Sequence, residues 1–198
     1  MKKKAVLCIT SGVLLILFAL SLFSYNFSVS LNAKNSSKMI FEELNENINN
    51  ENLNYKDNPN IQMPTVKING YDCIGTVKIP ALNVTLPVIS NWSYKNLRLS
   101  PCRYSGSVYQ NNLIICAHNF KWHFGKIKNL KTGDKVEFCD VNGNVFNFNV
   151  SDIETVNPTA PENMTNGEWD LTLFTCTVGG TARVTVRCVR ESDGNYGI

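Results

Sequence analysis

Hydrophobic and polar residues divide the chain into three regions. Residues 5–23, "AVLCITSGVLLILFALSLF", are uncharged and nearly all apolar. At about 1.5 Å of rise per residue, a helix of this length can just span a hydrocarbon core of about 30 Å. Residues 24–64 are rich in Asn and Glu and poor in apolar side chains. From residue 65 onward, short segments of β-branched and aromatic residues alternate with turn signals, which predicts a β domain.

Seven segments of the third region have the composition of β-strands. They are, in order, "CIGTVKI", "VTLPVIS", "NLIICAH", "KVEFCDV", "NVFNFNV", "LTLFTC" and "RVTVRCVR". Asn142-Gly143 is a strong hairpin signal, because both positions tolerate positive φ. One segment, "FGKIKNL", has helical character. The pattern predicts a mainly β domain over residues 65–192, either a closed β-barrel or a sandwich, and a polar, frayed tail at residues 193–198.

Basic residues at the N-terminus predict the orientation of the apolar segment across the membrane. Lys2, Lys3 and Lys4 precede it, and positively charged flanks remain in the cytosol. The segment is longer than a typical signal-peptide core, and no convincing small-x-small cleavage site follows it. We therefore expect residues 1–4 in the cytosol, residues 5–23 as a transmembrane signal anchor, and the remaining chain outside the cell membrane. The alternative is a cleaved signal peptide, which also exports the rest.

The Asn-rich region at residues 24–64 is expected to be an extracytoplasmic spacer. A segment this polar buries too little apolar surface to offset the entropy lost on ordering. Within it, Ile40, Phe41, Leu44 and Ile48 are spaced as on one face of a helix. This spacing predicts a short amphipathic helix that lies on the bilayer or on the domain, or frays at the surface.

Charge and cysteine content exclude several classes of protein. The formal net charge is +3, which the three N-terminal lysines account for, so nucleic acid is not expected as a partner. Of the seven cysteines, six follow the apolar segment. Their spacing is irregular and several lie in apolar strands, so we expect mostly reduced thiols rather than a disulfide framework. Two histidines and scattered cysteines do not form a zinc spacing.

One cysteine stands at a strand end, where a thiol is accessible. Cys176 closes "LTLFTC", and a hairpin through Gly179-Gly180 would bring Arg183 back beside it. A guanidinium there favours a thiolate, anchors a carbonyl or stabilises an oxyanion, although Arg183 can equally be a solvated strand-edge residue. Cysteine chemistry needs a base, and the chain has only His118, which ends "NLIICAH", and His123 in the loop that follows.

Several segments match one known family in the family's own order. "TLFTC", followed by an arginine at the start of the next strand, is similar to a T-L-x-T-C signature. Residues 74–88 resemble that family's opening strands, and "NLIICAHNF" resembles the strand that delivers a catalytic histidine. Residues 124–138 resemble the helix and strand that follow this histidine, and "ETVNPTAPENM" resembles the loop before the cysteine strand. The family is the sortases, membrane-anchored cysteine transpeptidases of Gram-positive bacteria. The resemblance covers about residues 65–190 and implies an eight-stranded sortase β-barrel with one or two short helices.

The resemblance implies a role for individual residues. The family's histidine matches His118, and its cysteine matches Cys176. Its arginine matches Arg183, because that residue opens the final strand in the family, whereas Arg187 falls mid-strand. His123 has no catalytic counterpart.

The resemblance also implies which residues bind substrate. The loop from about Val156 to Trp169 would shape the pocket for the peptide, with Pro158 and Thr159 as candidate contacts and Thr175 beside the cysteine as a third. The alternative reading of this loop is plain connection, since Pro and Asn favour turns.

The chemistry that the resemblance implies is two-step acyl transfer. The Cys176 thiolate attacks a sorting signal such as Leu-Pro-x-Thr-Gly between Thr and Gly, His118 protonates the leaving amine, and a thioester forms. An amine of a cell-wall precursor or a pilin lysine then resolves the thioester. The partners are thus surface proteins that carry sorting signals, together with such an amine acceptor. The family uses no metal and no organic cofactor, and because residues 94–112 contain no Asp or Glu we predict no calcium dependence.

Two other functions remain open at this point. One is a cysteine hydrolase on the same fold, which releases the acyl group to water. The other is a non-catalytic, membrane-anchored surface protein or pilin subunit, although "GNYGI" at the end of the chain lacks a sorting motif, an apolar tail and basic residues. The compact spacing from cysteine to arginine resembles class D sortases, with classes B and E as alternatives.

Overall fold

The computed structural model describes residues 2–48, 55, 58–158, 162–165 and 167–191. The chain divides into two compact units, residues 1–32 and residues 33–198. The first unit is helical over its described residues. The second contains the end of the same helix and every described strand. The predicted tail at residues 193–198 lies outside the described residues.

Helix α1 runs from Lys2 to Glu46 and includes the predicted anchor at residues 5–23. Among the described residues it is the one helix that is long and apolar enough to cross a membrane, by length and composition, with a mean hydropathy of 2.6 in its most apolar window. The helix continues through the first part of the predicted spacer, so the expected short helix around Ile40 is the end of α1. Residues 24–46 contain neither Gly nor Pro, and without these residues nothing local ends the helix.

The described residues after α1 form nine strands. They are β1 (Val66–Ile68), β2 (Tyr71–Ile79), β3 (Val84–Ile89), β4 (Cys102–Ser105), β5 (Leu113–Ala117), β6 (Lys135–Asp140), β7 (Val145–Val156), β8 (Leu171–Cys176) and β9 (Arg183–Arg190). Within the described ranges, the short helices α2 (Tyr94–Leu97) and α3 (Glu162–Thr165) interrupt these strands. The segment "FGKIKNL", predicted to be helical, forms one 3-10 turn at Ile127–Asn129.

Eight of these strands close into a ring, in the order β2-β3-β4-β5-β8-β9-β7-β6, with β6 pairing back to β2. The short β1 adds to β2 outside the ring. This confirms the predicted mainly β, eight-stranded barrel. Most neighbouring strands are antiparallel, but β3 and β4 are parallel, and so are β5 and β8. The site described below forms where β5 and β8 end.

Closure of the ring depends on a close backbone approach at Gly75. Its φ of 148° lies in a region that L side chains rarely adopt, and a Cβ at this position would lie 2.0 Å from the carbonyl oxygen of Cys139 on β6. Only glycine fits there without moving the two strands apart.

Alternation along the strands builds two apolar clusters. In β5, Leu113, Ile115 and Ala117 belong to the larger cluster, while Ile114 and Cys116 belong to the second. Because successive side chains point to opposite faces of a strand, the larger cluster fills the barrel and the second covers its outer face. The end of α1 completes the second cluster with buried Ile40 and Leu44, and α3 adds Met164.

Candidate active site

The parallel strands β5 and β8 bring two reactive side chains to the same end of the sheet. Their last pairing joins Ala117 to Thr175. His118 is the next residue after β5, and Cys176 is the last residue of β8. Both line one cavity of about 200 Å³. Residues 58 positions apart in the chain thus meet because two strands run in the same direction with matched ends.

The turn after β8 returns the chain beside the thiol. Gly179 and Gly180 have φ of 83° and 74°, values that are readily adopted by glycine. The hairpin places Arg183 directly opposite Cys176 as its Cα partner across the β8–β9 ladder, as the spacing predicted. Arg183 lines the same cavity. Its Nη1 donates to the carbonyl oxygens of Gly180 and Ala182, each at 3.1 Å, so the turn itself holds the guanidinium in place.

The imidazole of His118 is half-buried in the cavity wall. Burial, and secondarily the positive charge of Arg98, hold the pKa of His118 below its ordinary value. The neutral ring is therefore favoured at neutral pH, and a neutral imidazole can accept a thiol proton. The ring lies against Phe120, with centroids 4.7 Å apart, which limits its rotation. Cys176 is partly exposed, so a substrate can reach the sulfur.

A comparison with known proteins identifies the family. A family model for the sortase domain matches residues 77–191, more than half of the chain. The chain belongs to the sortase family. The matched range includes His118, Cys176 and Arg183.

Relatives of known name agree with this assignment. Sortase A of Bacillus anthracis is 27% identical over 127 residues, which cover 61% of this chain and 60% of that protein. The match thus spans about three fifths of the length of that curated relative. A solved Clostridium perfringens sortase D5 transpeptidase superposes with a TM-score of 0.62 at 19% identity, over 80% of this chain and 99% of that one. Sortase A from Corynebacterium diphtheriae gives a TM-score of 0.57 at 20% identity, over 64% of each chain. At these identities, the two structures show that the fold is shared.

Arg187, the competitor of Arg183 in this sortase sequence, is buried on β9 and is 3% exposed. Its Nε donates to the carboxylate of Glu154 at 2.8 Å, and its Nη1 donates to the carbonyl of Met164 and the hydroxyl of Thr172, each at 3.1 Å. These contacts join β9 to β7, β8 and α3. Arg187 is not among the residues that line the cavity.

His123 is likewise buried, at 1% exposure, and is not among the residues that line the cavity. Its Nε2 is 3.0 Å from the hydroxyl of Ser37 on α1, and that hydroxyl donates to the carbonyl of Leu99 at 2.6 Å. With the hydroxyl proton engaged there, His123 Nε2–H is the donor to Ser37. The contact joins the end of α1 to the loop that follows β5.

The three candidate substrate contacts have different outcomes. Pro158 lines the cavity. Thr159 lies outside the described residues. Thr175 is buried on the opposite face of β8, and its hydroxyl donates to the carbonyl of Ala117 at 2.8 Å. Thr175 does not line the main cavity, but it borders a separate cavity of about 120 Å³ together with Cys176, so its contact with substrate stays a prediction.

Sequence analysis did not predict the apolar wall of the cavity. It is formed by aromatic and aliphatic side chains from β4, β5, β8 and the segments around α2 and α3, and its members include Trp92, Tyr94, Leu97, Tyr104, Met164 and Phe174. Phe174 carried a signal, since it shares the face of Cys176 at a spacing of two, and Trp92 could be interpreted either as a stacking residue or as packing at the barrel rim. Among the described residues, no group of three or more His, Cys, Asp or Glu side chains is arranged to hold a metal ion.

Proposed function

We propose that this chain is a cysteine transpeptidase that cleaves a Leu-Pro-x-Thr-Gly-like sorting signal between Thr and Gly and transfers the acyl part to an amine. The observation that carries the proposal is the convergence of Cys176, His118 and Arg183 on one cavity at the ends of β5, β8 and β9. Nucleophile, base and oxyanion donor are the three parts that acyl transfer through a thioester requires.

In the first step, the sulfur of Cys176 attacks the Thr carbonyl and its proton passes to His118. The neutral imidazole favoured by burial is the form that accepts this proton. The resulting imidazolium donates the proton to the leaving Gly nitrogen as the C–N bond breaks. A thioester remains on Cys176, and the Gly-containing fragment leaves as a free amine.

In the second step, an amine attacks the thioester carbonyl and gives a proton to His118. The C–S bond breaks, and the proton returns to the Cys176 sulfur. We propose as acceptor an amine of a cell-wall precursor or a pilin lysine. During both steps the Arg183 guanidinium faces the oxygen on which negative charge develops, and its bonds to the turn carbonyls keep it there beforehand.

The apolar wall of the cavity suits the Leu-Pro part of such a signal. The cavity of about 200 Å³ is lined mainly by apolar side chains, and Leu and Pro gain free energy by leaving water there. Pro158 and Met164, on the segment before β8, border the same space. The compact spacing from Cys176 to Arg183 supports a class D-like member.

We further propose that residues 5–23 anchor the chain in the cell membrane, with residues 1–4 in the cytosol and the barrel outside. The length and composition of α1 support the anchor. The lysines at positions 2–4 support the orientation. In this position the barrel can meet surface proteins that carry a sorting signal as they emerge from the membrane.

Mass spectrometry of the full-length chain in detergent, mixed with a Leu-Pro-x-Thr-Gly peptide library and triglycine, tests the proposal. A Cys176→Ala variant is the control. We expect cleavage between Thr and Gly, capture of the acyl part by triglycine, and loss of both in the variant. Cleavage with release to water alone, in the presence of several amines, would indicate a hydrolase. Absence of cleavage of every peptide would refute the proposed substrate class.

A further inference from the structure

A second concave surface adjoins the catalytic cavity. It has a volume of about 470 Å³ and is lined by polar residues that include Ser90, Asn91, Arg103 and Ser105. Trp92 and Tyr104 line both this surface and the catalytic cavity. We call the second surface the Arg103 groove.

The two shared aromatic residues form the edge between the groove and the cavity. The rings of Trp92 and Tyr104 stack with centroids 5.8 Å apart. Tyr104 in turn meets Phe174 edge to face at 5.2 Å, and Phe174 lies two residues before Cys176 on the same face of β8. A peptide that lies over Phe174 can therefore pass across this aromatic edge into the groove.

The guanidinium of Arg103 is held in position but carries an unneutralised charge. Its Nε donates to the carbonyl of Ser90 at 3.0 Å, and its Nη2 is 3.2 Å from the hydroxyl of the same residue. Neither partner is anionic. Among the described residues, no carboxylate forms an ion pair with Arg103, and residues 94–112 contain no Asp or Glu. Burial lowers the pKa of the guanidinium, which is consistent with a cation that lacks a nearby anion.

Strand register gives the distance from Arg103 to the thiol. Arg103 pairs with Ile115 on β5, and Ile115 pairs with Leu173 on β8, three residues before Cys176. Two strand spacings across the sheet amount to about 10 Å, and three residue steps along the strand also amount to about 10 Å. Because these two displacements are perpendicular, the Cα atoms of Arg103 and Cys176 are about 14 Å apart. An extended peptide advances about 3.3 Å per residue. A peptide with its reacting carbonyl at Cys176 therefore reaches the groove with a residue about four positions away.

The acyl side of the peptide is the side that fits this path. The acyl part stays covalently attached during both steps, whereas the amine part leaves and is replaced. The apolar wall between Cys176 and the groove suits Leu and Pro, which belong to the acyl part. The residue that arrives at Arg103 is then the one just before Leu.

We propose that the Arg103 groove binds an acidic side chain on the residue preceding the Leu-Pro part of the peptide substrate, so that Arg103 is a specificity-determining residue. The proposal rests on the proposed function, because it assumes that a sorting-signal peptide occupies the cavity. A carboxylate and a guanidinium held by two bonds to one residue form charge-assisted hydrogen bonds of defined geometry.

The test compares three peptides that differ only before Leu, where they carry Glu, Gln or Lys. With the full-length chain in detergent we expect kcat/KM for the Glu peptide to exceed that for the Gln peptide by about threefold to fivefold, the range of a solvent-accessible ion pair. Lys should be least favoured. Because ions screen exposed charges, 0.5 M salt should reduce the preference.

Two variants assign the preference to one side chain. Arg103→Gln should cleave the Glu and Gln peptides equally, and Arg103→Glu should prefer the Lys peptide. Lys95→Gln on the exposed face of α2 removes the same charge nearby and should keep the wild-type preference. Thermal unfolding of each variant verifies that it is folded.

The outcomes separate this inference from the proposed function. Equal kcat/KM for all three peptides with wild-type protein would overturn the groove assignment while leaving the transpeptidase standing. A preference that survives in Arg103→Gln would do the same. Triglycine has a terminal carboxylate and triglycinamide does not. If the three peptides react equally but triglycine is a better acceptor than triglycinamide, the groove binds the amine substrate and the proposal is wrong. If no peptide is cleaved, the proposed function fails and this inference fails with it.

Discussion

Arg183 and Arg187 lie four residues apart on β9, and the structure predicts opposite consequences when each is replaced by Met. Methionine keeps the length of the side chain and removes the charge and all donors. Arg187→Met should lower stability, because it removes the buried guanidinium from a network of hydrogen bonds. Arg183→Met should leave stability nearly unchanged and remove activity.

The magnitude for Arg187 follows from its contacts. It makes hydrogen bonds to Glu154, Met164 and Thr172, and its side chain is 4% exposed, whereas that of Glu154 is 39% exposed. Breaking a buried ion pair by removing one partner costs about 3–5 kcal/mol, and the exposure of Glu154 favours the low end, about 3 kcal/mol. For a domain of this size, such a loss lowers Tm by about 6–12 °C.

The magnitude for Arg183 is different in kind. Its two partners are turn carbonyls next to solvent, so the free energy of unfolding should change by less than about 1 kcal/mol. Loss of an oxyanion donor typically reduces kcat by about 100-fold to 1000-fold. Thermal unfolding and peptide cleavage should be measured on both variants. We expect Arg187→Met to lower Tm and Arg183→Met to lower kcat with little change in Tm.

One result would refute the reasoning. If Arg183→Met retained full activity while Arg187→Met lost activity at an unchanged Tm, the functional arginine would be Arg187. Arg183→Lys is a useful intermediate, since it keeps the charge but not the planar fork, and we expect it to recover only part of the activity.

Three further predictions follow from single groups. Burial lowers the pKa of His123 to about 4, so the unfolded chain binds this proton first as pH falls. Between pH 7.5 and 5 the free energy of unfolding of the wild type should fall by about 2 kcal/mol more than that of His123→Gln. Urea titrations in which both proteins show the same pH dependence would contradict this. At pH 7.5 the variant should cleave peptide at nearly the wild-type rate. Iodoacetamide should modify Cys176 faster than its cavity neighbour Cys116, because burial raises the pKa of the Cys116 thiol to about 12, as peptide mapping can verify. Chelation of calcium should leave the cleavage rate unchanged, and a loss restored by added calcium would overturn that prediction.

Local sequence patterns predicted the elements that carry the reactive residues. Alternation in "LTLFTC" placed Phe174 and Cys176 on one face, and Gly179-Gly180 predicted the turn that brings Arg183 opposite the thiol. The same alternation places Thr175 and Cys176 on opposite faces of β8, although both side chains border one smaller cavity. These features depend on neighbours within a few residues, which is why a single sequence contains them.

The sequence by itself therefore determined the apolar helix, most strands and the residue types of the candidate site. The tertiary structure decided how far α1 continues, because burial of Ile40 and Leu44 on the barrel stabilises a segment whose composition is polar. It also decided which side chains surround the thiol. Strand β4 is short and irregular and pairs with β3 through a single residue, so no periodic signal marks Arg103 or Tyr104. Their positions depend on strand pairings between distant parts of the chain, and local hydrophobic periodicity does not encode which strands become neighbours.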